Sequence, residues 1–194
     1  MEITMGIRIL IVFRYLLLLL SVAALNACVI KSDKPISMAD SDMYDTALNG
    51  TWYWKTSSET GFLHIGVESQ GLYRILMVET NIDGKIDLEE YMAHISTIGA
   101  NKYLNVLIDH KETDKGYLFV KYQVTKDGLE LFIPDSSALE DAVESGKLKG
   151  TYSNNKKSTP RLVDSSERIA KFIGENDKKL YPEGKVLFRA KLEK

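Results

Sequence analysis

From Leu48 onward, short segments rich in β-branched and aromatic residues alternate with glycine-containing turns, and this spacing constrains the fold more than any other feature of the sequence. The candidate strands are Thr51–Thr56, Phe62–Glu68, Leu72–Glu79, Lys85–Ile95, Lys102–His110, Tyr117–Thr125, Leu129–Ile133, Lys149–Ser153 and Lys185–Leu192. The turns between them contain Gly61, Gly71, Gly84, Gly99, Gly116 and Gly128. Regular short strands of this kind are typical of an all-β domain.

Two of the turns carry an Asp-Gly pair, Asp83-Gly84 and Asp127-Gly128. This dipeptide readily adopts the positive φ angles that a tight hairpin requires. The strands on either side of each pair are therefore predicted to be antiparallel neighbours. The sequence predicts a mainly β fold, an antiparallel barrel of about eight strands or a β-sandwich.

Two short helices are predicted late in the chain, where apolar residues recur at helical spacing. Capping-box pairs at Ser137 and Glu140, and again at Asp164 and Glu167, indicate where each helix begins. Gly146 and Gly174 indicate where each one ends. Both helices are expected to pack against the sheet or to cover one end of a barrel.

The first strand contains Gly50-Thr51-Trp52, which resembles the Gly-x-Trp motif of lipocalins. The resemblance implies an eight-stranded barrel in which Trp52 closes one end and meets an arginine from the last strand, here Arg189. Trp54 lies on the same face of the strand as Trp52, because side chains alternate with a period of two. These residues are the candidate barrel floor or pocket. The alternative is that both tryptophans are ordinary core residues.

The first 28 residues resemble a bacterial lipoprotein signal peptide, with Arg8 and Arg14 preceding an apolar run that ends in Leu25-Asn26-Ala27-Cys28. The resemblance implies cleavage between Ala27 and Cys28 and attachment of lipid to the Cys28 thiol. An uncleaved membrane-spanning helix is the alternative, although a span needs about 20 apolar residues. Cys28 is the only cysteine, so the domain has no disulfide available.

The predicted organisation is a signal peptide over residues 1–27, a lipidated amino terminus with a flexible tether over residues 28–47, and a lipocalin-like β domain over residues 48–194. The tether is predicted because residues 29–47 are mostly polar and show no sustained helical or strand period. In Gram-negative lipoproteins the residue after the cysteine directs sorting. The presence of Val29 rather than Asp favours the outer membrane over the inner membrane.

The stretch from Glu79 to Glu90 is similar to an EF-hand calcium loop, because its oxygen-bearing side chains fall at the ligand positions of that loop. The candidate ligands are Glu79, Asn81, Asp83, Asp87 and Glu90. Against a calcium site, the flanking segments favour strands and Asp83-Gly84 makes a hairpin turn without any metal. A plain hairpin is therefore the favoured interpretation, and no metal site is predicted.

Residues for catalysis are not grouped in any recognisable pattern. His64, His94 and His110 fall on three different predicted strands without a metal-binding spacing. A nucleophile elbow and a phosphate-binding glycine loop are both missing from the sequence. The chain has 25 basic and 27 acidic residues, which gives no electrostatic argument for nucleic acid. We therefore expect a protein that is not an enzyme and uses no cofactor.

The β region is rich in aromatic residues, which can either fill a barrel or line a cavity for one small apolar ligand. The leading hypothesis is a membrane-anchored, non-catalytic binding module for a small hydrophobic or envelope-derived ligand. The alternative is a protein-interaction role in the envelope, as an assembly accessory or an immunity-type inhibitor. The two hypotheses predict different structural features: the first predicts a cavity and the second predicts an exposed patch.

Overall fold

A computed structural model describes residues 29–57, 59–69, 71–108, 115–153 and 158–190. Ala27 and Cys28, together with the rest of the predicted signal peptide, lie outside the described residues, as does His110. The barrel strands are β1 Gly50–Lys55, β2 Glu59–Ser69, β3 Leu72–Asn81, β4 Ile86–Ile98, β5 Asn101–Ile108, β6 Gly116–Val124, β7 Leu129–Phe132 and β10 Lys185–Arg189. The other elements are a 3-10 helix Thr46–Leu48, α1 Ser136–Glu144, β8 Gly150–Thr151, β9 Arg161–Leu162 and α2 Ser166–Leu180.

The eight long strands form a closed antiparallel barrel in the order β1-β10-β7-β6-β5-β4-β3-β2. The prediction of a mainly β fold with about eight strands and two late helices is therefore confirmed, as a barrel rather than a sandwich. β10 closes the barrel by pairing with both β7 and β1. The predicted strand Lys149–Ser153 forms only the short β8, which pairs with β9 outside the barrel.

The two ends of the barrel differ in what closes them. The floor end carries the 3-10 helix and the β2–β3, β4–β5 and β6–β7 turns, whereas the mouth end carries the β1–β2 and β3–β4 turns and the start of β10. Large side chains from every barrel strand are buried in the interior, and Trp52, Tyr73 and Tyr122 are the bulkiest of them near the floor. Side chains thus fill the interior at the floor and centre of the barrel, whereas Met77, Tyr91, Leu118 and Leu131 nearer the mouth are only partly buried.

Both helices begin at caps that differ from the predicted ones. The Asp135 side chain accepts a hydrogen bond from the Ala138 amide at 3.1 Å, so α1 is capped before Ser137. Ser165 caps α2, because the Asp164 carboxylate is buried and accepts a hydrogen bond from the Lys149 amide. The predicted capping residues were therefore wrong by one or two positions, because nearby polar side chains compete for the role.

The second helix also continues past Gly174, where it was predicted to end, and extends to Leu180. A Cβ atom at Gly174 would lie 3.0 Å from the Cγ2 atom of Ile98 in β4. The glycine therefore lets the helix approach the barrel closely instead of terminating it. Among the described residues, no helix has both the length and the apolar character needed to cross a membrane.

The prediction of a flexible tether over residues 28–47 needs correction at both ends, because Asp45 and the 3-10 helix belong to the barrel floor and the first described residues are also packed. Ile30 and Ile36 are each only 4% exposed, and Ser32 is fully buried. Residues 29–37, which we call the N-terminal segment, lie across the outer faces of β6, β5 and β4 and beneath the helices. Two apolar side chains in a polar stretch are enough to fill the space between the barrel and the helices, so this part of the chain belongs to the folded domain.

Candidate functional site

Arg189 lies directly over Trp52 at the floor of the barrel, with the guanidinium carbon 4.3 Å from the ring centroid. The two residues face each other across the β1–β10 pair. The guanidinium donates hydrogen bonds to the backbone carbonyls of Ala47 at 2.8 Å and Asn49 at 3.1 Å. Trp52 donates to the carbonyl of Leu48 at 2.9 Å. The floor is thus closed by the 3-10 helix, and these residues hold that helix in place.

Asp45, which lies within the predicted tether, is a floor residue that sequence reasoning missed. Its carboxylate accepts hydrogen bonds from Lys102 at 2.7 Å and from the Tyr122 hydroxyl at 3.1 Å. Burial alone would raise the pKa of Asp45, but the bonds from Lys102 and the Ala47 amide hold this pKa below its ordinary value. The cluster reinforces the closed floor, and an Asp before a short turn was its one sequence signal.

Trp54 lies in the mouth half of the barrel rather than at the floor. Its ring packs directly against the backbone of Gly61, its indole N–H donates to Glu59 at 3.2 Å, and Lys185 lies 4.4 Å from its ring centroid. Lys185 also forms an ion pair with Glu59 at 3.0 Å. The three predicted floor residues are therefore divided between the two ends, with Trp52 and Arg189 at one and Trp54 at the other.

Carboxylates line the mouth on the same side as Trp54, where Glu79 and Asp87 lie in register with Trp54 and Gly61. Burial raises the pKa of Glu79, and the negative charge of Glu59 raises it further. Burial and a hydrogen bond donated to Glu89 likewise raise the pKa of the Tyr91 hydroxyl. A ligand with an acidic headgroup would meet like charges here, which disfavours a fatty acid entering through the mouth.

The stretch that is similar to a calcium loop forms a hairpin turn. The Asn81 side-chain carbonyl accepts hydrogen bonds from the amides of Asp83 at 3.1 Å and Lys85 at 2.9 Å. Gly84 adopts φ +76°, in the left-handed region that favours glycine. The hairpin interpretation of Asp83-Gly84 is therefore the one that the structure shows.

The candidate calcium ligands lie on different faces of this hairpin. Glu79 is paired across the strands with Asp87 on the inner face, whereas Glu90 lies on the outer face, 3.4 Å from the Arg74 guanidinium. One ion cannot contact both faces of a sheet. In the described part of the chain, no group of three or more His, Cys, Asp or Glu side chains is placed to hold a metal ion.

The two described histidines make separate structural contacts. His94 is buried on the outer face of β4, where a ring nitrogen lies 2.7 Å from the carbonyl of Ser37 in the N-terminal segment. Burial lowers the pKa of His94, because it disfavours the charged imidazolium. His64 lies on β2 beside the Thr51 hydroxyl at 2.9 Å. Neither contact resembles a catalytic arrangement.

The outer face of the barrel carries a continuous line of large apolar side chains across five neighbouring strands. In register from β10 to β4 they are Phe188, Tyr53, Phe62, Val78 and Leu88, which we call the outer row. With strands about 4.8 Å apart, the row is about 19 Å long. Four of its members are well exposed: Phe188 is 48%, Tyr53 37%, Phe62 45% and Leu88 69% exposed. Contiguous exposed apolar patches of this kind commonly mark interaction sites.

The opposite wall of the barrel is covered. The outward-facing residues Tyr103 and Asn105 of β5 and Phe119 of β6 are almost fully buried beneath α1, α2 and the N-terminal segment. The outward-facing apolar residues of β5 and β6 are thus covered by other elements, whereas those of the outer row are left uncovered. The sequence signal of the outer row was the Leu72–Val78 strand, which is apolar on both faces although only one face points into the barrel.

A groove of about 1,010 Å³ lies at one end of the outer row. Tyr53, Phe62 and Phe188 line one side of it, and the β6–β7 turn over residues 124–128 lines the other. Polar groups of both signs flank the row, with Lys55 toward the mouth and the Arg74–Glu68 ion pair toward the floor. The uncovered wall therefore combines an apolar centre with a mixed polar border, as protein interfaces do.

No protein-family model, curated protein or solved structure matches this chain.

Proposed function

We propose that this chain is a lipid-anchored protein of the Gram-negative cell envelope whose barrel docks a partner protein on the outer row. The anchor is Cys28, and Val29 after it favours the outer membrane. The module is non-catalytic and uses no cofactor. The signal-peptide resemblance of the first 28 residues supports the location, and the exposed in-register row is the observation that carries the docking role.

An interaction role fits the geometry better than a ligand enclosed by the barrel. Buried side chains occupy the interior from the floor at Trp52 to the mouth half at Trp54. Aromatic side chains such as Tyr53, Phe62 and Phe188 are the type that most often dominates binding at protein interfaces. The outer row is the exposed patch that an assembly accessory or an immunity-type inhibitor would need.

The border of the row favours a protein over a lipid bilayer. Surfaces that bind anionic bilayers are rich in Lys and Arg, whereas Glu68 and Glu90 lie beside Arg74 here. A second copy of the chain fits less well, because two convex barrel walls meet along a narrow line. A stable interface usually buries about 800 Å² on each partner. A partner whose apolar strip follows the row, such as an amphipathic helix of about three and a half turns, fits the 19 Å length.

Photocrosslinking in cells tests the docking role. We would place a benzophenone amino acid at Phe62 and at Leu88, with Lys171 on α2 as a control of comparable exposure. We expect the same single protein adduct from both row positions, none from the control, and loss of the adduct in a Phe188→Ser background. Adducts of twice the chain mass would indicate a second copy instead, and adducts to lipid alone would indicate the bilayer. Either result contradicts the proposal.

The anchor has its own test. Replacing Cys28 with serine removes the only thiol that could carry lipid, so we expect the chain to leave the membrane fraction or to accumulate unprocessed. Fractionation and intact-mass measurement of both forms distinguish these results. A Cys28→Ser chain that remains membrane-bound and is still cleaved at the same place would refute the anchor.

A small apolar ligand remains the second candidate, and the groove of about 1,010 Å³ beside Phe62 and Phe188 is the observation in its favour. Its volume is comparable to the upper range of small-molecule sites. Native mass spectrometry of the protein, compared with the Phe188→Ser variant, tests it. A lipophile retained by the first and lost from the second would favour this candidate over a protein partner.

A further inference from the structure

The described chain begins against the folded domain rather than at the end of a tether. Val29 is 39% exposed, but Ile30 is only 4% exposed and packs among apolar residues of β6, α1 and α2. Cys28 is two residues before Ile30, and two residues span at most about 7 Å. Any group attached to Cys28 therefore lies close to this point of the domain surface.

Backbone hydrogen bonds fix the N-terminal segment from two sides. Ser32 and Tyr117 of β6 exchange two backbone bonds, at 2.9 and 2.8 Å. On its other side, Leu162 of β9 donates to the Lys31 carbonyl and accepts from the Asp33 amide, both at 2.9 Å. Residues 31–33 are therefore held between the barrel and β9 as an additional short strand.

Buried side-chain contacts fix the next residues. The Asn105 side-chain carbonyl accepts a hydrogen bond from the Ile36 amide at 2.7 Å, and both residues are buried. The Ser166 hydroxyl at the start of α2 donates to the Pro35 carbonyl at 2.6 Å. Since the segment bonds to strands and to a helix, it cannot swing away without breaking several buried interactions.

The point at which the N-terminal segment joins the folded domain, which we call the entry point, and the outer row lie on opposite sides of the barrel. In the closed ring of eight strands, β6 is four strands away from β2 in either direction. The N-terminal segment enters beside β6, whereas β2 carries Phe62 at the centre of the outer row. The helices α1 and α2 share the side on which the N-terminal segment lies, because Ile30 and Ile36 belong to the same buried apolar cluster as residues of both helices and Ser166 of α2 donates a hydrogen bond to Pro35.

We infer that the anchor holds the α1–α2 side of the domain against the lipid headgroups and points the outer row away from the bilayer. The inference rests on the proposed lipid anchor at Cys28. A flexible tether of 19 residues would span about 24 Å root-mean-square and would allow every orientation of a domain whose radius of gyration is about 15 Å. A fixed entry within about 7 Å of the anchor allows only one side of the domain to face the lipid.

Fluorescence quenching in vesicles tests this orientation. The lipidated full chain would be purified from membranes and reconstituted in phosphatidylcholine vesicles that contain headgroup spin-labelled lipid. A single fluorophore would be placed on Lys171→Cys of α2 or on Leu88→Cys of the outer row, two positions of similar exposure. The Cys28 thiol is consumed by the lipid, so each label is unique. We expect quenching at Lys171→Cys and its absence at Leu88→Cys.

A matched variant identifies the cause of any difference. Inserting about ten Gly and Ser residues between Val29 and Ile30 adds roughly 17 Å of flexible chain and should abolish the difference between the two labels. Equal quenching without the insertion, in protein that floats with the vesicles, would overturn the orientation and leave the anchor intact. Protein that fails to float would overturn the anchor, and the orientation with it.

Discussion

Replacing Gly61 with alanine tests how closely the mouth half of the barrel packs around Trp54. A Cβ atom at Gly61 would lie 2.0 Å from Cζ2 of the Trp54 ring, far inside van der Waals contact, so the ring would have to move. Gly66 on the same strand is the matched control, because its Cβ would approach nothing nearer than the His64 ring at 3.9 Å. Neither glycine has a positive φ, so backbone strain does not distinguish them.

The expected loss of stability follows from the contacts of Trp54. Overpacking a well-packed core costs about 1–3 kcal/mol. Displacing the ring also breaks its hydrogen bond to Glu59, worth about 0.5–1.5 kcal/mol, and its contact with Lys185, worth about 0.5–1 kcal/mol. Gly61→Ala should therefore lower the free energy of unfolding by roughly 2–5 kcal/mol. Gly66→Ala should raise it by about 0.4–1 kcal/mol, since alanine restricts the unfolded chain.

Urea unfolding followed by far-ultraviolet circular dichroism measures both variants on the same scale. For a domain of this size, about 1 kcal/mol corresponds to a shift of about 2–4 °C in Tm, so thermal unfolding should separate the two variants clearly. If both variants unfold within about 0.5 kcal/mol of each other, Trp54 does not occupy the space above Gly61, and the account of the mouth half is wrong.

Three further predictions concern the floor and the N-terminal segment. Arg189→Ala should lower the free energy of unfolding by roughly 2–4 kcal/mol, since two hydrogen bonds and the contact with Trp52 are lost, and a change under about 0.5 kcal/mol in denaturant would contradict this. Asn105→Ala leaves the buried Ile36 amide unpaired, so hydrogen exchange at that amide should accelerate; unchanged exchange would refute the contact. Burial lowers the pKa of His94 in the folded protein. The neutral His94 side chain therefore contributes fully to the free energy of unfolding above about pH 6.5, and this contribution is lost as the pH falls through the lowered pKa of the folded state. A His94→Gln variant should therefore lose less stability on acidification, as measured by unfolding between pH 7 and pH 4.

The strands and their antiparallel order could be predicted because their signals are local. Asp83-Gly84 specifies a turn by its own backbone preferences, and in the first strand the alternation that puts Trp52 and Trp54 on one face specifies which residues face the core. The lipocalin resemblance at Trp52 predicted Arg189 as its partner. The register of β1 and β10 does place the two residues opposite each other in the closed barrel. Strand pattern and turn chemistry thus predicted the strands but left a barrel and a sandwich open, and the barrel itself was predicted from the lipocalin resemblance.

The N-terminal segment and the outer row could not be predicted from local signals. Ile36 is held by Asn105, 69 residues further along the chain, and a polar stretch with two isolated apolar residues has no period to reveal such a contact. The outer row exists only when five strands are aligned, so its one sequence signal, a Leu72–Val78 strand that is apolar on both faces, does not reveal the row itself. Gly174 could not be interpreted from the sequence for the same reason. A glycine that allows close approach to Ile98 cannot be distinguished in the sequence from a glycine that ends a helix.

The position of β10 between β7 and β1 also sets the order in which the barrel can be completed. Until Lys185–Arg189 has been synthesised, the edges of β1 and β7 have no partner, and the contact between Ala47 and Arg189 closes a loop of 142 residues. The length-dependent entropy of that closure is about 4 kcal/mol. A barrel that closes with its last described strand therefore stays incomplete until that strand has been made.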